Sequence, residues 1–319
     1  MTDTELRIET LVEHPARPEW GPGKVVRVQG TKVEVFFRDR DDHIAGKFEA
    51  SVLRVASVQE DPLLRDLPEL VERKGKLGLA RARITVAEAK RRFLQRFPGG
   101  FQDPEFIGTP KGGERTYKWL AHERYEELLG NGKGRTLLQE GGVEALRTLL
   151  SKTIGRAGNL LAVTEMIAFR QGLADPVAAA AYFGTLFDLV EAGPGEERFN
   201  AHAQAVAALP SAGATHADKW TIATLLPFFA RPDTFVFVKP GNMKKAAAAL
   251  AFEIAYDSSP NWHTYERILR LANVYREQLA DLGARDFIDV QSFFWITGDT
   301  YEAVRAANQA KKQAHDAPH

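Results

Sequence analysis

Apolar and polar side chains alternate in short stretches over residues 7–58. The alternation in residues 32–37 matches a strand with one buried face, and Gly30 and Thr31 separate it from the preceding stretch at hairpin distance. The predicted strands are 7–13, 24–28, 32–37, 46–50 and 53–56. So many short strands in about fifty residues favour a small closed barrel, which leaves few strand edges exposed.

The period of the apolar residues changes from two to that of a helix after the acidic stretch 60–72. Thr85 and Glu88 form a capping-box pattern that predicts a helix over 86–97, and Pro98 ends it. The change of period places a domain boundary near residue 60.

Further helix starts are marked by an acidic or hydroxyl residue followed by proline. Asp175 precedes Pro176, and Ser259 precedes Pro260, which predicts an N-terminal cap at each place. Gly283 supplies a left-handed cap after the second of these helices.

Two further elements are expected in the C-terminal part of the chain. Residues 234–238 read as a short strand of β-branched and aromatic residues, and Asp299 and Glu302 open a last helix. The predicted fold class is therefore multidomain α+β, with an SH3-like (Tudor-like) β-barrel followed by a mostly α-helical domain. The predicted domains are the barrel 1–59, a linker 60–84, a helical domain 85–313 with a sub-boundary near 156, and a frayed tail 314–319.

Composition excludes several classes of protein. The chain has 319 residues, 44% of them hydrophobic and 26% charged, which predicts folded domains rather than extended disorder. It contains no cysteine, so disulfides, thiolate zinc sites and thiol catalysis are excluded. Its apolar runs are far shorter than the roughly 20 residues of a membrane span. Residues 1–10 lack a signal-peptide core, and we expect a cytoplasmic protein.

Charge is unevenly distributed although 42 basic and 42 acidic residues cancel over the whole chain. Residues 73–156 hold 18 Lys and Arg against 9 Asp and Glu, whereas the flanking segments are acidic. An internal basic surplus of this size can attract phosphate groups, and it can equally neutralise acidic neighbours.

One motif resembles a known family. The run His14-Pro-Ala-Arg-Pro-Glu-Trp-Gly-Pro-Gly-Lys-Val25, followed by a strand ending in Val35, Phe36 and Phe37, is similar to an uncharacterised bacterial family of short Tudor-like domains. The resemblance covers about residues 8–58. That family is related to the C-terminal domain of UvrD-type helicases and to the RNA polymerase interaction domain of CarD-like regulators.

The resemblance implies that the barrel binds a protein partner, either RNA polymerase or a repair protein. The candidate partner-contacting residues are Trp20, Lys24, Phe36 and Arg38. A structural role is the alternative, because an aromatic such as Trp20 more often packs one end of a barrel.

Basic and aromatic residues are interleaved after residue 80, a composition that suits phosphate contacts and base stacking. The alternative is a solvated helix face on which Glu123, Glu126 and Glu127 pair with nearby cations. The candidate DNA- or RNA-binding residues are Arg83, Lys90, Arg91, Arg92, Arg96, Lys111, Arg115, Lys118, Trp119, Lys133 and Arg135.

The glycine-rich stretch 130–135 does not match a nucleotide-binding P-loop. It follows a helix and lacks the hydroxyl residue after its lysine, so a flexible connection between helices is the favoured interpretation.

No catalytic motif is present, and no cofactor or metal is expected. The eight histidines show no metal-ligand spacing. A nuclease-like set can be assembled only from scattered residues: Asp218, Asp233, Lys239 and Glu253.

Three hypotheses follow. The leading one is a non-catalytic accessory protein in DNA repair, transcription or genome defence, with a partner-binding barrel and a basic helical segment on DNA or RNA. The alternatives are a metal-dependent DNA-processing enzyme or defence effector, and a protein–protein scaffold without nucleic acid.

Overall fold

A computed structural model describes residues 6–80, 86–109, 112–155, 160–210 and 219–297. The chain divides into two compact units. The sheet unit comprises residues 1–89 with 247–254, and the helical unit comprises residues 90–246 with 255–319. A mixed α+β chain, with a β-sheet first and mostly helices after it, is therefore confirmed.

The sheet unit is built on a curled, five-stranded antiparallel sheet. The strands follow the order β4-β3-β2-β1-β5, and Val25 on β2 lies opposite Val35 on β3. Four of these strands lie within about one residue of the predicted positions, while the first is shorter than expected. The bounds are β1 Leu11–Glu13, β2 Gly23–Gln29, β3 Lys32–Phe37, β4 Gly46–Glu49 and β5 Arg54–Val55.

Both faces of β3 are buried, because successive side chains of a strand point to opposite sides. Val35 and Phe37 pack with Val25 in one apolar cluster, which Trp20 partly covers. Phe36, pointing the other way, packs in a second cluster that includes Leu64 and the half-buried Leu67, Leu70, Leu77 and Leu79. The sheet therefore needs residues beyond 60 to cover its second face.

The described part of the predicted linker is folded. Helix α1 (Pro62–Arg65) is capped by Asp61, whose Oδ1 accepts from the amides of Leu63 and Leu64 at 2.9 and 3.1 Å. Strands β6 (Val71–Arg73) and β7 (Lys76–Gly78) form a hairpin. This part of the chain belongs to the sheet unit because its leucines fill the Phe36 cluster.

Helices make up most of the described part of the helical unit. The unit's amphipathic helices bury one stripe each, whereas α10 and α13 are buried on all sides. Their bounds are α2 Val86–Arg96, α3 Pro104–Ile107, α4 Thr116–Leu128, α5 Lys133–Gln139, α6 Val143–Ile154, α7 Val163–Gly172, α8 Pro176–Ala192, α9 Glu196–Ala207, α10 Trp220–Ala230, α11 Pro240–Ala249, α12 Trp262–Gln278 and α13 Phe287–Thr297. The first residues of α2 and the last of α11 belong to the sheet unit.

The helix starts were predicted with mixed success. Asp175 caps α8 as expected, accepting from the amides of Val177 and Ala178 at 2.9 and 2.8 Å. At α12 the cap is Asn261, whose Oδ1 accepts from the amide of Thr264 at 2.9 Å, so the predicted start at Ser259 is two residues early. The predicted caps at Thr85 and Asp299 lie outside the described residues.

The predicted strand 234–238 is wrong. Its residues 235–238 are buried and belong to no strand or helix of the described chain. Side chains satisfy this backbone instead: the Tyr265 hydroxyl accepts from the amide of Val236 at 3.0 Å, and Thr224 Oγ1 accepts from the amide of Val238 at 2.9 Å. β-branched and aromatic residues favour burial as strongly as strand formation, so their presence in this segment did not establish a strand.

Among the described residues, no single helix has the length and apolar composition needed to cross a membrane. Only α7 and α8 taken together reach that length and composition, and the two helices are bent by 108° at the break between them.

Candidate functional site

The predicted cations on α2 differ in exposure, and the helix packs into the unit through Phe93, which is buried among Phe101, Phe106 and Phe293. Arg91 and Arg92 are exposed. Their neighbours are engaged by carboxylates of the helical unit: Lys90 Nζ lies 2.7 Å from Asp281, and Arg96 lies 2.7 Å from Glu105. Of the predicted α2 cations, Arg91 and Arg92 are therefore the two with the most exposed side chains.

Arg115 is not a surface residue, which corrects its assignment to a phosphate-contacting face. It is 8% exposed, and its guanidinium donates to Asp286 at 2.8 and 2.7 Å and to Asp289 at 2.9 Å. Arg285 binds the same Asp289 at 2.8 Å. Burial lowers the pKa of Arg115, but the hydrogen bonds and charges of Asp286 and Asp289 outweigh this effect and raise it. The guanidinium is therefore committed to holding α4 against α13.

Lys118 is also buried, and its assignment to the same face is corrected. It is 1% exposed, and its ammonium donates to Gln291 Oε1 at 2.9 Å and to Ser292 Oγ at 2.7 Å. Burial lowers its pKa, an effect that the charge of Glu114 opposes. This lysine lines a cavity rather than the outer surface.

The remaining candidates in this segment are half-buried or engaged. Trp119 donates from Nε1 to Glu123 at 2.9 Å. Lys133 donates to the carbonyl of Glu127 at 2.9 Å, and Arg135 pairs with both Asp188 and Glu191 on α8. Predicted residues Arg83 and Lys111 lie outside the described residues. Those predicted cations that the structure describes are therefore not gathered into one unpaired face.

The predicted partner-contacting residues of the sheet unit have unequal exposure. Phe36 is fully buried in the second apolar cluster, so it cannot touch a partner, and this prediction is corrected. Trp20 is half-buried against Phe37, and the guanidinium of Arg40 lies 4.9 Å from its ring centre. Trp20 thus caps one end of the first cluster while keeping an accessible edge.

The two predicted cations of that set are held by carboxylates. Lys24 Nζ lies 2.6 Å from Glu9 and also donates to the carbonyl of Leu64. Arg38 bridges Asp39 and Asp61 at 2.7 and 2.8 Å. Both side chains tie parts of the sheet unit together.

Sequence reasoning missed an exposed cationic cluster, which lies on the β6–β7 hairpin inside the predicted linker. Arg73, Lys74 and Lys76 are all exposed, and none pairs with a carboxylate of the described residues. The acidic residue of this hairpin, Glu72, is engaged by Arg27 at 2.8 Å. The run Glu-Arg-Lys-Gly-Lys between two apolar positions was the signal, since a basic run around glycine predicts a hairpin with a charged tip.

This hairpin, which we call the cationic hairpin (residues 71–78), borders a groove of about 420 Å³. Ile44, Val71 and Leu79 give the groove apolar walls, and the three cations stand at its rim. Asp42 also lines the groove but is ion-paired with Arg40 at 2.6 Å. The groove therefore combines apolar surface with an uncompensated positive rim.

The proposed nuclease-like set is not assembled in what the structure describes. Asp218 lies outside the described residues, while Asp233 and Glu253 belong to different compact units. Among the described residues, no group of three His, Asp or Glu side chains is arranged to hold a metal ion.

Comparison with protein-family models, with curated proteins and with solved structures gives no significant match.

Proposed function

We propose that this chain is a non-catalytic, nucleic-acid-associated accessory protein of the cytoplasm, in which the cationic hairpin contacts the phosphate backbone of DNA or RNA. The observation that carries the proposal is the cluster of Arg73, Lys74 and Lys76, exposed and without carboxylate partners among the described residues. Unpaired surface cations release condensed counterions when they neutralise phosphates, and this release drives nucleic-acid binding.

The groove beside the hairpin supports the same proposal. Its apolar walls can accept the flat face of an unstacked base, while the cationic rim follows the backbone, as in proteins that bind single strands. In the helical unit, exposed Arg91 and Arg92 on α2 offer a second phosphate contact. Single-stranded nucleic acid is therefore the form that we expect to bind more tightly.

The other part of the proposal concerns the five-stranded sheet. We infer that it is an SH3-like, Tudor-like barrel that binds RNA polymerase or a repair protein, on the resemblance of residues 8–58 to that family. The accessible edge of Trp20, with Arg17 and Arg40 near its ring, is the side chain that we expect at such a contact.

The decisive experiment measures binding of the full chain to labelled single-stranded DNA, duplex DNA and single-stranded RNA over a series of salt concentrations. The test variant carries Arg73→Gln, Lys74→Gln and Lys76→Gln. Because three phosphate contacts are lost, we expect affinity at low salt to fall by about tenfold or more, and the slope of log K against log salt to decrease by about 2.

The matched control removes the same charge from the sheet unit at positions that are already ion-paired: Arg17→Gln, Lys32→Gln and Lys47→Gln. These cations lie 3.5–3.6 Å from carboxylates. We expect the control to bind within about threefold of the wild type, because a cation that already faces a carboxylate contributes less to the neutralisation of a phosphate. Equal losses in the two variants would show a non-specific effect of net charge, and no binding at low salt would refute the proposal.

A scaffold without nucleic acid is the second candidate, and one observation favours it. Cations of the helical unit are neutralised by carboxylates distant in sequence, as in the pairs of Arg115 with Asp286 and of Arg135 with Asp188. If the salt series shows no binding, this internal neutralisation becomes the role of the basic segment, and partner capture through the sheet unit becomes the next measurement.

A further inference from the structure

A small polar cavity lies in the helical unit where α4 and α13 approach the start of α11. Its volume is about 110 Å³, and the side chains of Lys118, Lys239, Asn242 and Gln291 line it together with Tyr117 and Trp295. A water molecule occupies about 30 Å³ of liquid, so the cavity holds roughly three or four waters or one small polyatomic group. Nucleotides and drug-sized ligands, which fill about 300 Å³ or more, do not fit.

Lys118 has hydrogen-bonding capacity left over. An ammonium group has three N–H donors, and two of them are taken by the neutral oxygens of Gln291 and Ser292. The nearest carboxylate, Glu114, lies 3.8 Å from Nζ, which is within ion-pair range but beyond hydrogen-bond distance. A third donor of this buried lysine therefore remains for a ligand in the cavity.

The charges around the cavity favour an anion. Of the charged side chains that the structure describes, two lysines and one carboxylate, Glu114, line it. The neighbouring cluster of Arg115 and Arg285 with Asp286 and Asp289 contains two charges of each sign and adds no net charge. Asn242 lies in the first turn of α11 and Lys239 directly precedes that helix, at the end where backbone amides and the helix dipole favour negative charge.

We propose that this Lys118 cavity binds one small oxoanion, a phosphate or a carboxylate group. Lys118 binds an anion oxygen from the floor of the cavity, and Lys239 and Asn242 bind it from the rim. Burial removes the water that would stabilise the ammonium of Lys118, and the negative charge of the anion compensates for that loss. The lowered pKa of Lys118, caused first by burial, is consistent with a cation whose compensation is incomplete.

The experiment titrates the full chain with sodium phosphate and, separately, with sodium acetate, against sodium chloride at matched ionic strength. Heat of binding and tryptophan fluorescence are recorded together, because Trp295 lines the cavity. We expect saturable binding of one anion per chain. Preference for phosphate or for acetate identifies the tetrahedral or the planar oxoanion, and either preference supports the site.

Variants place the binding in the cavity. We expect Lys118→Met to abolish it and Lys239→Gln to weaken it by about fivefold or more, because each removes a charge-assisted hydrogen bond. The matched control is Lys245→Gln, an exposed lysine of α11 that does not line the cavity, and it should bind like the wild type. If Lys118→Met does not fold, the variants Lys239→Gln and Asn242→Leu, which change residues at the rim of the cavity, are used instead and should weaken anion binding.

A separate variant keeps this proposal distinct from that of the cationic hairpin. The chain with Arg73→Gln, Lys74→Gln and Lys76→Gln should retain anion binding in full, since those residues lie in the sheet unit. Absence of saturable binding in the wild type, or undiminished binding in Lys118→Met and Lys239→Gln, would overturn the proposal.

Discussion

Lys118 and Arg115 show that residue type is a weak guide to exposure when partners come from distant sequence. Both lie on or beside α4, and their partners on or beside α13 are more than 170 residues away. A buried cation is tolerated when carboxylates or polar oxygens surround it. Removing only one partner of such a cluster leaves an uncompensated buried charge. These clusters therefore determine how α4 and α13 pack more than they add to the stability of the fold.

His202 is a second buried polar residue, and it makes the stability of the helical unit depend on pH. It is fully buried on α9, its Nδ1 lies 3.1 Å from the hydroxyl of Thr185, and its ring lies 5.2 Å from that of Tyr182. Burial lowers its pKa from 6.5 to about 4, an effect that the backbone of Ala223 opposes. The folded protein therefore holds this imidazole neutral.

We expect this histidine to destabilise the protein as pH falls from about 6.5 towards 4. In this range the unfolded chain binds a proton at His202 while the folded chain does not, so acid favours unfolding. A pKa lowered to this extent corresponds to a loss of roughly 3 kcal/mol, complete only below the folded-state pKa. Urea unfolding at about pH 7 and about pH 4.5 measures the loss in the wild type and in His202→Gln.

The comparison is made within each protein, because His202→Gln also changes packing. The variant should lose less stability on acidification than the wild type, by about 2 kcal/mol. His263→Gln, which removes an exposed histidine, is the control and should follow the wild type. Equal acid losses in the wild type and His202→Gln would contradict the prediction.

At the scale of elements, the glycine-rich stretch 130–135 joins α4 to α5 and is shaped by packing. Gly132 has φ 77°, a left-handed conformation that favours glycine. Gly134 is buried at the first turn of α5, and a Cβ there would lie 2.4 Å from the Phe187 ring on α8. Close approach of α5 to α8 explains this glycine without a bound phosphate.

We expect Gly134→Ala to destabilise the helical unit by about 1–3 kcal/mol, because the added methyl group displaces the Phe187 ring. Gly241→Ala is the matched control. Gly241 is likewise the second residue of its helix, α11, but a methyl group added there would have no heavy atom within 4 Å, so substitution should be neutral or stabilise by up to about 1 kcal/mol. Thermal unfolding of both variants measures the difference. If Gly134→Ala leaves the stability unchanged, the Phe187 ring moves aside without cost and the prediction is wrong.

Prediction from sequence succeeded where local signals decide the element. Alternation with a glycine turn located β2 and β3, and the Asp175-Pro176 pair located α8. It failed at residues 235–238, where the side chains of Tyr265 and Thr224 bind the backbone amides. It also failed at α12, where the capping residue Asn261 lies two residues beyond the expected position. Local patterns carry no information about partners supplied by another helix.

At the scale of the whole molecule, the sequence showed which segment is basic but not which of its cations are ion-paired in the fold. The basic surplus of residues 73–156 is largely neutralised where it was expected to act, as in the pair of Lys90 with Asp281. Three exposed cations without a carboxylate partner among the described residues lie instead at the beginning of that segment, on the cationic hairpin. Only the fold distinguishes a cation that faces a carboxylate from one that faces solvent.

The extent of the sheet unit yields a last prediction. Phe36 is fully buried in a cluster with Leu64, and Leu67, Leu70, Leu77 and Leu79 pack against it, so a fragment ending at residue 59 loses the cover of one sheet face. Because each fully buried side chain of this size contributes about 1.5–3 kcal/mol, we expect fragment 1–80 to be more stable than 1–59 by about 3 kcal/mol or more.

Urea unfolding and amide-proton exchange compare the two fragments, and both lack residues 247–254, so that omission cancels. Leu64→Ser in fragment 1–80 is the matched control, because it keeps the added length but removes a buried apolar side chain. The free energy of unfolding of this variant should fall most of the way to that of fragment 1–59. If 1–59 unfolds with the same stability as 1–80, the strand-rich region is an independent domain with its boundary near residue 60. If it does not, the cationic hairpin is held in place by the same leucines that cover Phe36, and its charges are then presented from a rigid support rather than from a linker.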